Sequence, residues 1–175
     1  AASMTAAMLD EGAAGKAALT LADEVEFLGA QLSTSASFDA STVRLSTPAA
    51  KLGDALGLMA AVALTPDFPA EELDRLRTER LTSLLQSRDD PAALVSIAFP
   101  RLLYGPEHRY GTGTGGTEAS LKALGVDQLR TFHRAHYRPD HAVLIVVGDT
   151  TTAALRPLVE ARFGAWTAQG PAAPP

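Results

Sequence analysis

The sequence predicts an α+β fold in which amphipathic helices pack on a mixed β-sheet, and three observations carry that expectation. Apolar residues recur at helical spacing in several separate windows, and two neighbouring runs alternate with a period of two. The third is "AVLIVV" at 142–147, apolar throughout as a strand buried on both faces would be. Composition agrees with a folded chain: of 175 residues, 46% are hydrophobic and 20% charged, which supports one domain with a sizeable core and argues against disorder.

Taken in order, residues 1–11 read as a short helix stopped by Gly12 and Gly15. Residues 16–28 read as a second, with Ala18, Leu21, Val25 and Leu28 on one stripe and Gly29 as its stop. Two half-buried strands follow. In 31–38, Leu32, Thr34, Ala36 and Phe38 alternate with serines; in 41–47, Val43 and Leu45 alternate with Thr42, Arg44 and Ser46, and Asp39-Ala40 joins the two. Leu52, Leu56, Met59 and Ala63 restore helical spacing, and "PAEELDRLRTERLTSLLQSR" at 69–88 is a longer amphipathic helix with proline at its start. Its mixed Glu, Asp and Arg face is expected to be simply solvated.

Asp90-Pro91 opens the apolar helix "DPAALVSIAF", which Pro100 is expected to bend or stop before "RLLYG". After the loop "GPEHRYGTGTGG" come a short helix at 117–124, a helix at 126–137 ("VDQLRTFHRAHY"), the apolar strand and a last helix from about Thr150 to Phe163. The domain is expected to cover 1–166, with the Pro-rich 167–175 as a linker.

Several function classes are disfavoured at once. A net charge of -5 does not suit phosphate neutralisation, so nucleic acid is not expected as a partner. There is no cysteine, hence no disulfide and no thiolate-bound zinc. The longest apolar stretches fall far short of the roughly 20 residues of a membrane span. Compartment is not readable from these residues.

Three constellations could carry chemistry. Gly111, Gly113 and Gly116 form G-x-G-x-x-G, but "RLLYGPEHRY" before them is not a strand, so a mobile surface loop is expected in place of a dinucleotide cradle. His133 and His136 sit three apart on one helix with His141 beyond, yet no acidic third ligand is near in sequence except Asp127, so ordinary surface or capping histidines are expected, and His108 in the loop supports nothing stronger. Gly148-Asp149-Thr150 follows a strand and opens a helix, and Asp149 or Thr150 as its N-cap is sufficient.

From "MLDEG" through "ADEVEFLGAQLSTSASFDASTVRLST", "PDFPAEELDRLRTERLTSLLQSRDDP", "RLLYGPEHRYG" and "LRTFHRAHYRPDHAVLIVVGD" to "VEARFGAW", nearly the whole chain resembles a domain of the M16 peptidases, the insulinase and pitrilysin family. In active members of that family, the helix ending at this "ML" carries the zinc motif H-x-x-E-H. The resemblance places that motif on Ser3-Met4-Thr5-Ala6-Ala7 and the later acidic pair, source of the third ligand, on Thr82-Ser83 between Leu81 and Leu84. Ser3, Ala6, Ala7 and Ser83 supply no imidazole or carboxylate to stand about 2 Å from zinc. The resemblance therefore implies a non-catalytic domain with no metal or cofactor of its own, zinc being expected only in a homologous catalytic partner half.

It further implies that the two halves enclose a peptide chamber, and that the strand at "GAQLSTSAS" supplies Gln31, Leu32, Ser33, Thr34 and Ser35 as an edge for a bound peptide. Two alternatives stay open: a purely structural assembly subunit, or part of an active peptidase whose H-x-x-E-H lies outside this chain. Family domains begin with strands before the first helix, so the sheet is expected to lack its first strands and the chain to be a fragment of a longer polypeptide. The family suggests a periplasmic or secreted setting, and the Ala-rich, Arg-over-Lys composition suggests a bacterial source.

Overall fold

The structure is a computed structural model and describes residues 1–168. Most of the 167–175 linker lies outside the described residues.

The chain opens on α1 (Ala2–Ala7), which is shorter than the 1–11 helix expected from spacing. Its successor explains the early stop. Gly12–Ala13 (β1) pairs antiparallel with Lys16–Ala17 (β2), so the backbone must leave the helix to enter a hairpin. The two turn residues, Ala14 and Gly15, have φ of 52° and 75°, the left-handed pair that a two-residue hairpin requires. Asp67 holds the turn from outside, accepting the Gly15 N–H at 2.8 Å. The second helix consequently begins two residues late, as α2 (Ala18–Phe27). Gly29 at φ 62° is the expected stop.

β3 (Gln31–Ala36) and β4 (Ser41–Ser46) form the larger hairpin, with Leu32 opposite Leu45 and Thr34 opposite Val43. These side chains form the half-buried face, which lies against α1 and, from β4, against α3 (Leu52–Leu64). β4 ends at Ser46, one residue early, and β3 ends sooner than its alternation suggests, because Ser37 turns the chain. Its N–H donates to the Ala40 carbonyl at 2.8 Å and its hydroxyl accepts the Ala40 N–H at 3.1 Å.

The long helix is α4 (Ala70–Gln86), followed by a 3-10 turn at Ser87–Asp89. Asp90 caps α5 (Pro91–Tyr104) by accepting the Ala92 N–H at 2.9 Å. Pro100 does not stop this helix, one of the two outcomes expected of it. The turn continues beyond it, with the Gly105 N–H still reaching the Arg101 carbonyl at 3.0 Å, so losing one N–H at Pro100 is tolerated where the helix is solvent-exposed. Then come α6 (Glu118–Ala123), capped by a Thr117–Ser120 capping box, α7 (Val126–His136) and α8 (Thr152–Phe163). Thr151, and not Asp149 or Thr150, caps α8: its hydroxyl accepts the Ala154 N–H at 3.2 Å.

The core lies where α1, α3, α4 and α7 converge. Met4, Met8 and Leu9 meet Val62, Leu73 and Leu129 there, and each is 2% exposed or less. The sheets are two antiparallel hairpins among helices, an α+β arrangement.

One expected element did not form. Residues 142–147 are in no ladder, and Val143, Ile145 and Val147 are 84%, 79% and 93% exposed, while Leu144 and Val146 are 42% and 37% exposed. That alternation is the mark of an extended backbone with one face turned outward. A strand is defined by its neighbours, and among the described residues none lies beside this segment.

Candidate functional site

Small side chains let α1 lie close beneath the β3–β4 hairpin. Met4, Thr5 and Ala6 are buried and Ser3 and Ala7 half-buried. Ser3, Ala6 and Ala7 are spaced i, i+3 and i+4, so they share one helical face. That is the geometry a ligating motif needs, here without ligating atoms. The Thr5 hydroxyl is fully buried and has no hydrogen-bond partner among the described residues.

The helix facing this end of α1 is α4. Arg80 reaches across, donating from Nη1 to Ser3 Oγ at 3.0 Å and from Nη2 to the Ser3 carbonyl at 2.9 Å. Burial pushes the Arg80 guanidinium below its ordinary range, which the nearby Glu79 charge offsets only in part. Ser83, one turn further along α4, is exposed, and Thr82 spends its hydroxyl on its own helix, donating to the Thr78 carbonyl at 2.9 Å. These residues do not fit a divalent cation. The serines, alanines and threonine offer neutral oxygens or none, and the guanidinium brings positive charge to the spot. Among the described residues, no group of three or more His, Cys, Asp or Glu is placed to hold a metal ion.

Sequence spacing missed Arg80. The charged face of α4 was expected to be solvated, and Arg75 conforms, pairing with Glu11 at 2.5 Å and Glu72 at 2.6 Å near the surface. Arg77 and Arg80 instead turn inward. Arg77 donates to the carbonyls of Leu121 at 3.1 Å and Leu124 at 2.7 Å, tying α4 to the end of α6. No pattern in a single sequence separates an outward Arg from an inward one; the only signal was their placement near the positions given by the family resemblance.

The strand edge is present as a backbone feature. Gln31, Ser33 and Ser35 are exposed on β3, while Leu32 and Thr34 face the body. Thr34 donates to Asp10 at 3.4 Å, and Asp10 sits in a cleft of about 400 Å³ between α2 and β3, lined also by Leu21, Val25, Gly29 and Leu32. Burial there pushes the Asp10 carboxyl above its usual range, which backbone and Thr34 hydrogen bonds counter only in part.

The histidines are not brought together on a site. His133 is turned into the body: its Nε2–H donates to the Ala63 carbonyl at 2.8 Å, and its ring lies against Phe68 and Tyr137. His136 stacks on Phe132 with centroids 4.1 Å apart. His108 accepts the Tyr110 N–H through Nδ1 at 3.1 Å, and His141 ends a 3-10 turn at Pro139–His141. The glycine-rich loop is a surface loop anchored through an aromatic group. Tyr110 stands edge-on to Phe38 and Tyr104, and its hydroxyl donates to Asp39, a hydrogen bond that, together with the carboxylate charge, pushes the phenol up. Gly111 is required on steric grounds, since a Cβ there would stand 1.8 Å from the Gly105 carbonyl oxygen.

Comparison with known proteins agrees with this geometry. Residues 123–175 match a family model described as the peptidase M16 inactive domain. The chain is 25% identical over 165 residues to an uncharacterised zinc protease, YmxG, of Bacillus subtilis, covering 94% of this chain and 40% of that protein. An uncharacterised zinc protease of Streptomyces coelicolor is 32% identical over 79 residues, which is 45% of this chain and 17% of that protein. The solved M16 inactive domain of Pseudomonas fluorescens superimposes with a TM-score of 0.90 at 31% identity, over 98% of this chain and 42% of that one. A Helicobacter pylori protease shares the fold, with a TM-score of 0.87 at 21% identity over 98% of this chain and 42% of that one. The chain thus spans well under half the length of these relatives.

Proposed function

We propose that the chain, which resembles the inactive domain of the M16 peptidases, is the non-catalytic half of a two-part peptide chamber and pairs with a homologous half that carries zinc. One observation carries this reading. The helix on which the resemblance places the metal motif is kept and buried in the core, while each ligating position on it holds Ser or Ala. A helical face with the spacing of a ligand platform and no ligating chemistry suits a wall better than a catalyst.

The edge of β3 supplies what a wall needs. An extended peptide could add to Gln31–Ala36 through main-chain hydrogen bonds, and the cleft beside Leu32 could take one of its side chains. The test combines this chain with a zinc-bearing M16 homologue from the same source. Expected are no hydrolysis by this chain alone, a stable complex, and faster cleavage of unstructured peptide by the complex than by the homologue alone. Leu32→Pro, which removes a backbone donor from β3, should weaken peptide capture while leaving the complex intact. A complex that forms but neither captures peptide nor alters cleavage would make the domain a structural subunit.

A further inference from the structure

Arg80 differs from the other arginines along its helix. Arg75 has Glu11 and Glu72, Arg77 has Asp74, and Arg88, just past the helix end, has Glu118 at 3.3 Å. Arg80 has no carboxylate within ion-pair distance among the described residues, although it is half-buried. Half-burying a guanidinium costs solvation that two neutral oxygens from one serine repay only in part. The fork carries five N–H groups, and the bonds to Ser3 use two of them. The remaining donors form a planar array of the kind that recognises carboxylate. Beside it stand the Ser3 hydroxyl and, one turn along α4, the exposed Ser83. The spot is therefore a cation with hydroxyl neighbours and, among the described residues, without a paired anion, Glu79 lying beyond ion-pair distance.

We propose that Arg80, with Ser3, is a carboxylate-binding site that holds an acidic side chain or the C-terminal carboxylate of a peptide. Among the described residues no carboxylate pairs with Arg80, Glu79 acting on it only through its charge, and Ser3 fixes the guanidinium so that little side-chain freedom is left to lose on binding. The peptide as the source of the carboxylate rests on the chamber reading above; the carboxylate chemistry does not.

The test follows the Arg80 Nε–H signal by NMR in the full chain labelled with 15N-arginine, assigned by its loss in Arg80→Lys or, should that variant not fold, by its proximity to Ser3. Four probes are titrated at constant ionic strength: acetate, an amidated peptide with one Glu, its Gln counterpart with a free C-terminus, and the Gln counterpart amidated. Acetate and one of the acidic peptides should move the signal, and that peptide should bind about tenfold tighter than the neutral one. The Glu peptide prevailing identifies a side chain as the source, the free acid a terminus. A signal unmoved by every carboxylate, or moved equally by the neutral peptide, overturns the site; if the neutral peptide still binds, the chamber reading survives. A signal moved by acetate while no peptide binds keeps the site and removes the chamber reading.

Discussion

At the scale of single residues, the interior shows two costs that can be measured. Thr5 buries its hydroxyl without a partner among the described residues, so its desolvation is uncompensated there. Thr5→Val keeps the shape and removes the orphan group, and should stabilise the chain by about 1 kcal/mol in urea unfolding. His133 is the second. Burial lowers its pKa, the Ala63 carbonyl raises it by less, and the Arg134 charge lowers it further. The native state therefore favours neutral imidazole, while the unfolded chain takes up its proton near pH 6.5. Stability from this group is intact above that pH and is lost as pH falls from there through the lower native pKa. An NMR titration should find His133 with a midpoint below that of a free imidazole, and His133→Phe should reduce the acid-side loss of stability.

At the scale of elements, packing and not propensity decides which helices matter. α7 inserts Leu129, with no exposed surface, between the α1 methionines and the rest of the core. Leu129→Ala should cost about 3 kcal/mol by chemical denaturation, the range for a fully buried leucine. Legibility follows the same division. α4, α6 and α7 are readable within two or three residues, because a proline start and helical spacing are local signals. The 12–17 hairpin was not. Its turn uses Ala14 in a left-handed conformation that alanine disfavours, held by Asp67 and by the Thr65 carbonyl from 50 or so residues away. Helix α5 was extended through Pro100 for a similar reason, since its continuation depends on surroundings and not on the proline alone.

At the scale of the whole molecule, the described residues leave two stretches of apolar side chains exposed. The 142–147 segment turns Val143, Ile145 and Val147 outward, and α5 exposes Val95, Phe99 and Leu102. No backbone ladder protects 142–147, so its amides should exchange with solvent far faster than those of α7. Ile145→Thr should leave unfolding free energy within about 0.5 kcal/mol of the parent, because the side chain is already in water, and should reduce self-association in light scattering. The charge that departs from the solvated reading is Arg80, which is drawn against α1.

The sequence by itself determined the α+β class, most helices, the alternating strands and the absence of ligating side chains at Ser3, Ala6, Ala7 and Ser83, because spacing and residue chemistry are local properties of a chain. Tertiary structure alone decided which side chain faces inward. It turned Arg80 toward Ser3 and His133 toward Ala63, and it left 142–147 outside any sheet. Burial, pairing and the electrostatics that follow depend on which distant residues become neighbours, and no local pattern encodes that.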